Sequence, residues 1–249
     1  MNLNMQTSNP AFSENVARNF EYAGVRSTTM TVQGTALKAM VLLAILMATA
    51  TYSWVGTQNG TLPPGVLFGS LLGGFVLALI TIFKPTLAAW TSPVYAALEG
   101  IFLGAISQYT DLRYPGIALQ AIALTGGVTF LMLFLYVTRI IKVTGQLATG
   151  IMAATGAIAL FYLVTMVLSM FHVQVPFVFG SSPIGIGFSV FVVGLAAFNL
   201  LLDFNFIERG SEAGLAKSME WYGAFGLMVT LVWLYLEILQ LLRKLNDRR

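Results

Sequence analysis

The sequence predicts an all-α fold: a polytopic membrane helical bundle with seven transmembrane helices. Three observations carry that prediction. First, 57% of the 249 residues are hydrophobic and only 9% are charged, whereas an average soluble domain is about a quarter charged. Such a chain cannot build the charged shell a soluble globule needs, and lipid removes the need. Second, no Asp, Glu, Lys or Arg occurs from Ala39 to Phe83 or from Val143 to Leu202. Each run is long enough for two spans of ~20 residues and a turn. Third, turn signals punctuate the hydrophobic stretches at Asn59-Gly60, Lys84-Pro85, Tyr114-Pro115-Gly116, Thr144-Gly145 and Ser181-Ser182-Pro183, where Gly and Pro favour a break.

Residues 1–35 form a polar amino-terminal segment, partly helical, with Glu14, Arg18, Glu21 and Arg26 and no visible signal peptide. Residues 36–249 form the seven-helix domain. Its expected spans are 36–55, 64–83, 93–109, 116–138, 147–171, 184–204 and 221–242. Connections are short except 205–220, which carries Glu208, Arg209, Glu212, Lys217 and Glu220. Trp54, Trp90, Trp221 and Tyr222 fall near span ends, as an aromatic belt requires, and His172, near Pro176, falls at the interface. Gly69 and Gly73, and Gly100 and Gly104, are spaced four apart, which lets helices approach closely.

Charge placement also excludes function classes. The net charge is +3 and the bases sit at the ends of hydrophobic runs, so there is no concentrated basic face for nucleic acid. With no cysteine, disulfides, zinc-thiolate sites and cysteine nucleophiles are ruled out. No phosphate-binding glycine loop and no histidine cluster occurs. The paired motifs of an intramembrane aspartyl protease are absent, and Lys244 sits at the end of the last span, not deep within it as a retinal protein requires. The chain is therefore expected not to be an enzyme and to hold no cofactor. Seven crossings put Arg18, Arg26, Lys38, Lys84, Arg139, Lys142, Arg209 and Lys217 on the amino-terminal side, and Arg113, Arg243, Lys244, Arg248 and Arg249 on the other. The excess favours a cytoplasmic amino terminus, although the carboxy-terminal tail is itself basic.

Three carboxylates fall within hydrophobic segments: Glu99, Asp203 and Glu237. A charge at the bilayer centre costs at least ~2.5–3.5 kcal/mol, and such residues mark ion, proton or substrate paths. On the sixth span Gly185, Ser189, Ala196, Asn199 and Asp203 recur at helical steps; on the seventh, Thr230, Trp233, Glu237, Gln240 and Lys244 do so. Two polar stripes should turn toward each other and away from lipid, which could bring Asp203 and Glu237 together. Carboxylates sharing a desolvated site hold one proton between them and titrate as a unit. Ionised, they offer hard oxygen ligands suited to Ca²⁺. Two alternatives stay open. Asp203 caps the loop at the membrane edge while Glu237 pairs with Lys244 or Arg243, or Glu99 serves only as an inter-helix hydrogen bond.

The stretches Leu202-Asp203-Phe204-Asn205-Phe206-Ile207-Glu208-Arg209-Gly210 and Met219-Glu220-Trp221-Tyr222-Gly223-Ala224-Phe225-Gly226 resemble the YccA-like bacterial branch of the Bax inhibitor (transmembrane Bax inhibitor motif) family. So do Leu231-Val232-Trp233-Leu234-Tyr235-Leu236-Glu237, Met30-Thr31-Val32-Gln33-Gly34-Thr35 and Tyr95-Ala96-Ala97-Leu98-Glu99-Gly100. The resemblance implies seven helices with the last one central, and a pH-sensitive Ca²⁺ leak of the bacterial inner membrane. It implies a paired-carboxylate sensor at Asp203 and Glu237, with Glu standing where the family pattern often has Asp. Glu99, Asn199, Thr230, Trp233 and Gln240 are the further pore or packing candidates. The expected partners are the bilayer and Ca²⁺ or protons. The alternative is a regulatory protein that modulates a membrane protease or a stress response without transport.

Overall fold

The structure is a computed structural model that describes residues 29–171 and 180–248. Glu14, Arg18, Glu21 and Arg26, and likewise His172, Pro176 and Arg249, lie outside the described residues. Among the described residues there are seven α-helices, α1 (Val32–Gln58), α2 (Pro64–Phe83), α3 (Ala88–Arg113), α4 (Ile117–Val137), α5 (Gly145–Met170), α6 (Pro183–Glu212) and α7 (Met219–Asp247), with one 3₁₀ turn at Pro85–Leu87.

The expected breaks are where the helices end. Gly60 and Gly116 take positive φ of 67° and 84°, a conformation cheap only for glycine, and they separate α1 from α2 and α3 from α4. Thr144 caps α5 by accepting from Leu147 N–H at 3.2 Å, and Ser182 accepts from Gly185 N–H at 3.1 Å. Each satisfies a donor that a helix start leaves free.

Six of the seven helices are long and apolar enough to cross a membrane; α3 is not among them. Its polar residues explain why. Ser92, Glu99, Ser107 and Gln108 are buried in protein, so lipid does not select against them. α3 packs most closely on α1. A Cβ at Gly100 would meet Leu46 O and Thr49 Oγ1, and one at Gly104 would meet Ala50 O. Ser53 Oγ donates to Ile101 O across the same seam at 2.6 Å. The small-residue spacing thus serves packing here. At Gly73 a Cβ would lie 3.0 Å from Leu98 Cδ1, whereas Gly69 faces open space, so the second glycine pair works at one member only.

The connection expected over 205–220 is shorter than its charges suggest. α6 stays helical to Glu212 and α7 begins at Met219. At 30 residues, α6 is about 45 Å long, well beyond the ~30 Å hydrocarbon core, so its charged end is helix outside lipid. Tyr222, expected in the aromatic belt, is 3% exposed and belongs to a core cluster with Met30, Ala88, Ile207 and Met219.

The chain divides into two compact units. The first takes α1–α3 with Asp203–Val229, and the second takes Tyr114–Leu202 with the chain from Thr230 onward. α6 and α7 each contribute to both, and of the six apolar helices they are the most enclosed by protein.

Candidate functional site

In the second unit, Glu237 is 4% exposed. Its Oε1 accepts from the Tyr162 hydroxyl of α5 at 2.9 Å and from Trp233 Nε1, one turn earlier on α7, at 3.2 Å. Its Oε2 is buried and has no hydrogen-bond partner among the described residues. Tyr162 is held in place by rings, packing edge-on to Phe188 at 6.3 Å. Ile151, Ile158, Val192 and Leu195 form the neighbouring apolar core, with Trp233 and Tyr162 packed against it. The carboxyl is therefore fastened by one oxygen to two neutral donors, and the other oxygen is turned into a space without a donor.

Within this unit α6 and α7 are joined by hydrogen bonds at Lys244. Lys244 is 1% exposed, and its ammonium donates to Gly185 O at 3.1 Å and Ser189 Oγ at 2.8 Å. Asn199 turns instead to α5, donating to Thr155 Oγ1 at 2.8 Å and to Leu195 O of its own helix at 2.9 Å. Thr230 is buried and Gln240 half-buried. Asp247 is exposed and accepts from the Tyr114 hydroxyl and from Ser181 Oγ.

Asp203 belongs to the first unit, half-buried, with its Oδ1 3.9 Å from where a Cβ on Gly226 would stand. Glu237 lies eleven residues beyond Gly226 on the same helix, about 16 Å of axial rise. The two acids of the expected pair thus fall in different units, Asp203 in the first and Glu237 in the second.

Glu99 is also buried in the first unit, hydrogen-bonded to Tyr95 one turn back on α3 and leaning on α2, where a Cβ at Gly74 would lie 3.1 Å from Oε1. Among the described residues no group of three or more His, Cys, Asp or Glu stands together.

Glu220 was not singled out from the sequence as a site residue. It is fully enclosed and accepts from Thr31 N–H at 2.9 Å, Thr31 Oγ1 at 2.8 Å, Lys217 Nζ at 2.6 Å and Lys38 Nζ. The Lys38 ammonium also lies 5.6 Å from the Trp221 ring centroid. A Cβ at Gly34 would strike the Glu220 carboxyl, so glycine there is a condition of the contact. The isolated bridge Thr29–Ala216, with Met30 N–H donating to Leu215 O at 2.7 Å, closes the same corner. The sequence placed Glu220 at the end of the long charged connection over 205–220. Only its recurrence with Lys217 at a helical interval, beside an aromatic pair, hinted otherwise.

Two stretches quoted for the family resemblance, 30–35 and 219–226, are thus in contact through Glu220. Comparison with curated proteins and with solved structures gives no match. The sequence profile of one family matches residues 9–247, nearly the whole length, and this chain belongs to that family, described as Bax inhibitor 1 like.

Proposed function

We propose that this multi-pass membrane protein is a pH-sensitive calcium leak whose sensing acids are Glu237 and Asp203. The observation that carries the reading is the buried Glu237 carboxyl, held through Oε1 by Tyr162 and Trp233 while Oε2 has no donor. Such a group has two stable arrangements. Protonated, it is neutral and compatible with close apolar packing. Ionised, it carries a charge that needs a cation or water beside it. The two states favour different packing around the later turns of α7, and that difference is the gate.

The proposed setting is a bacterial inner membrane with the amino terminus in the cytoplasm. The Lys and Arg excess on the amino-terminal side supports that orientation.

The test is Ca²⁺ uptake by proteoliposomes from acidic to alkaline pH, for wild type, D203N and E237Q. Wild type should show a pH-dependent flux, E237Q a flux independent of pH, and D203N a profile altered but still pH-dependent. A pH response unchanged in both variants removes both acids from the gate.

A further inference from the structure

α2 matches a bilayer in length. It runs 20 residues, Pro64–Phe83, without an Asp, Glu, Lys or Arg. That is about 30 Å of rise, equal to the ~30 Å hydrocarbon core. Phe68, Leu72, Phe75, Val76, Leu79 and Phe83 are exposed along it, and their three- and four-residue steps put them on one face. Lys84 is the next residue, so a helix that fills the core sets its ammonium at the depth of the headgroups.

The corner around Lys84 is small and open. Lys84 is exposed and forms no ion pair among the described residues. The 3₁₀ turn Pro85–Leu87 leads at once into α3, where Trp90 is 80% exposed; Phe83, just before Lys84, is 73% exposed. An indole offers one N–H donor on an apolar ring, which suits it to the boundary between chains and headgroups. Ala88, between Lys84 and Trp90, is packed in the core with Met30, Ile207, Met219 and Tyr222, so the corner is anchored while its two donors face outward. At the opposite end of α2, residues 59–63 carry no base.

We propose that this corner is a binding surface for an anionic phospholipid, with Lys84 pairing with the headgroup, Trp90 donating to it, and the exposed face of α2 carrying the acyl chain. A phosphatidylcholine headgroup balances its phosphate with its own cation, whereas an anionic headgroup leaves a net charge for Lys84 to neutralise. A second copy of the chain seated on this face by two-fold symmetry would bring two unpaired ammonium groups into one interface; a lipid supplies the missing charge. This inference is independent of the proposed calcium leak.

The experiment is quenching of tryptophan fluorescence by lipids with brominated acyl chains, phosphatidylglycerol or phosphatidylcholine, in proteoliposomes of the full chain. The Trp90 signal is the difference between wild type and W90F. Phosphatidylglycerol should quench it at about fivefold lower mole fraction than phosphatidylcholine, the preference that one lysine gives near an anionic surface. K84Q, measured against K84Q with W90F, should lose that preference, and K84R should keep it. In 0.5 M NaCl the wild-type preference should shrink, because exposed charges are screened. Should K84Q fail to assemble, as size-exclusion chromatography shows, the salt series on wild type carries the test. Equal quenching of wild type by the two lipids overturns the proposal, as does a preference that survives in K84Q or is indifferent to salt. A Trp90 signal that neither lipid quenches means that protein covers the corner, and overturns it as well.

Discussion

Tyr162 and Trp233 bind the same oxygen of Glu237 and leave the other bare. That asymmetry is the most chemically specific feature of the second unit. Removing one donor with Y162F leaves a buried carboxyl oxygen with only the indole, at a cost of about 1–3 kcal/mol. A lowered thermal-unfolding midpoint in detergent, absent in a phenylalanine substitution at exposed Tyr52, is the expected reading. Glu220 makes the same argument from the opposite side, because it has four donors and no vacancy. E220A removes the acceptor of a largely enclosed ammonium and of a backbone N–H, and should cost about 3–5 kcal/mol. K217A removes the more exposed of its two bases and should cost no more than about 1 kcal/mol. Equal losses from the two substitutions, measured by the same unfolding assay, would mean that burial does not rank these contacts. Glu237 was legible in the sequence because an acid in a charge-free helix is conspicuous. Tyr162 was not, because its contact joins helices far apart in the chain and a tyrosine within a span looks like packing.

At the scale of elements, the hydrophobic runs and their Gly and Pro breaks were enough to find every α-helix among the described residues. The expected and observed α2 coincide at residues 64–83. What hydrophobicity could not read was where a helix stops outside lipid. α6 and α7 continue through charged residues at their ends because those turns are solvated or paired, and a pattern of apolar residues ends sooner than the helix does. Glycine spacing was informative only in part. Both Gly100 and Gly104 meet backbone of α1, which cannot move aside, so G104A should destabilise by about 1–3 kcal/mol through overpacking. G69A meets nothing and should stay within about 0.5 kcal/mol of wild type. The same thermal-unfolding series reads both, and a large loss in G69A would contradict the packing described for α2.

At the scale of the molecule, six helices suited to crossing a membrane agree with what composition predicted, and membership of the Bax inhibitor 1-like family agrees with the resemblance of the quoted stretches. The polar residues divide by task. Those of the first unit include the fully furnished contact around Glu220, and along α3 two buried oxygens, Ser92 Oγ and Gln108 Oε1, with no hydrogen-bond partner among the described residues. Those of the second include a carboxyl with an unfilled oxygen and a buried base two turns away. A leak built on the second unit should tolerate conservative changes at Lys38 or Lys217 in its pH profile, even where stability falls. The most direct measurement is the pH dependence of Ca²⁺ flux in E237Q proteoliposomes set against wild type at matched protein density. The account predicts that the wild-type flux changes with pH and the E237Q flux does not. An E237Q profile that follows the wild-type curve across the range would contradict it.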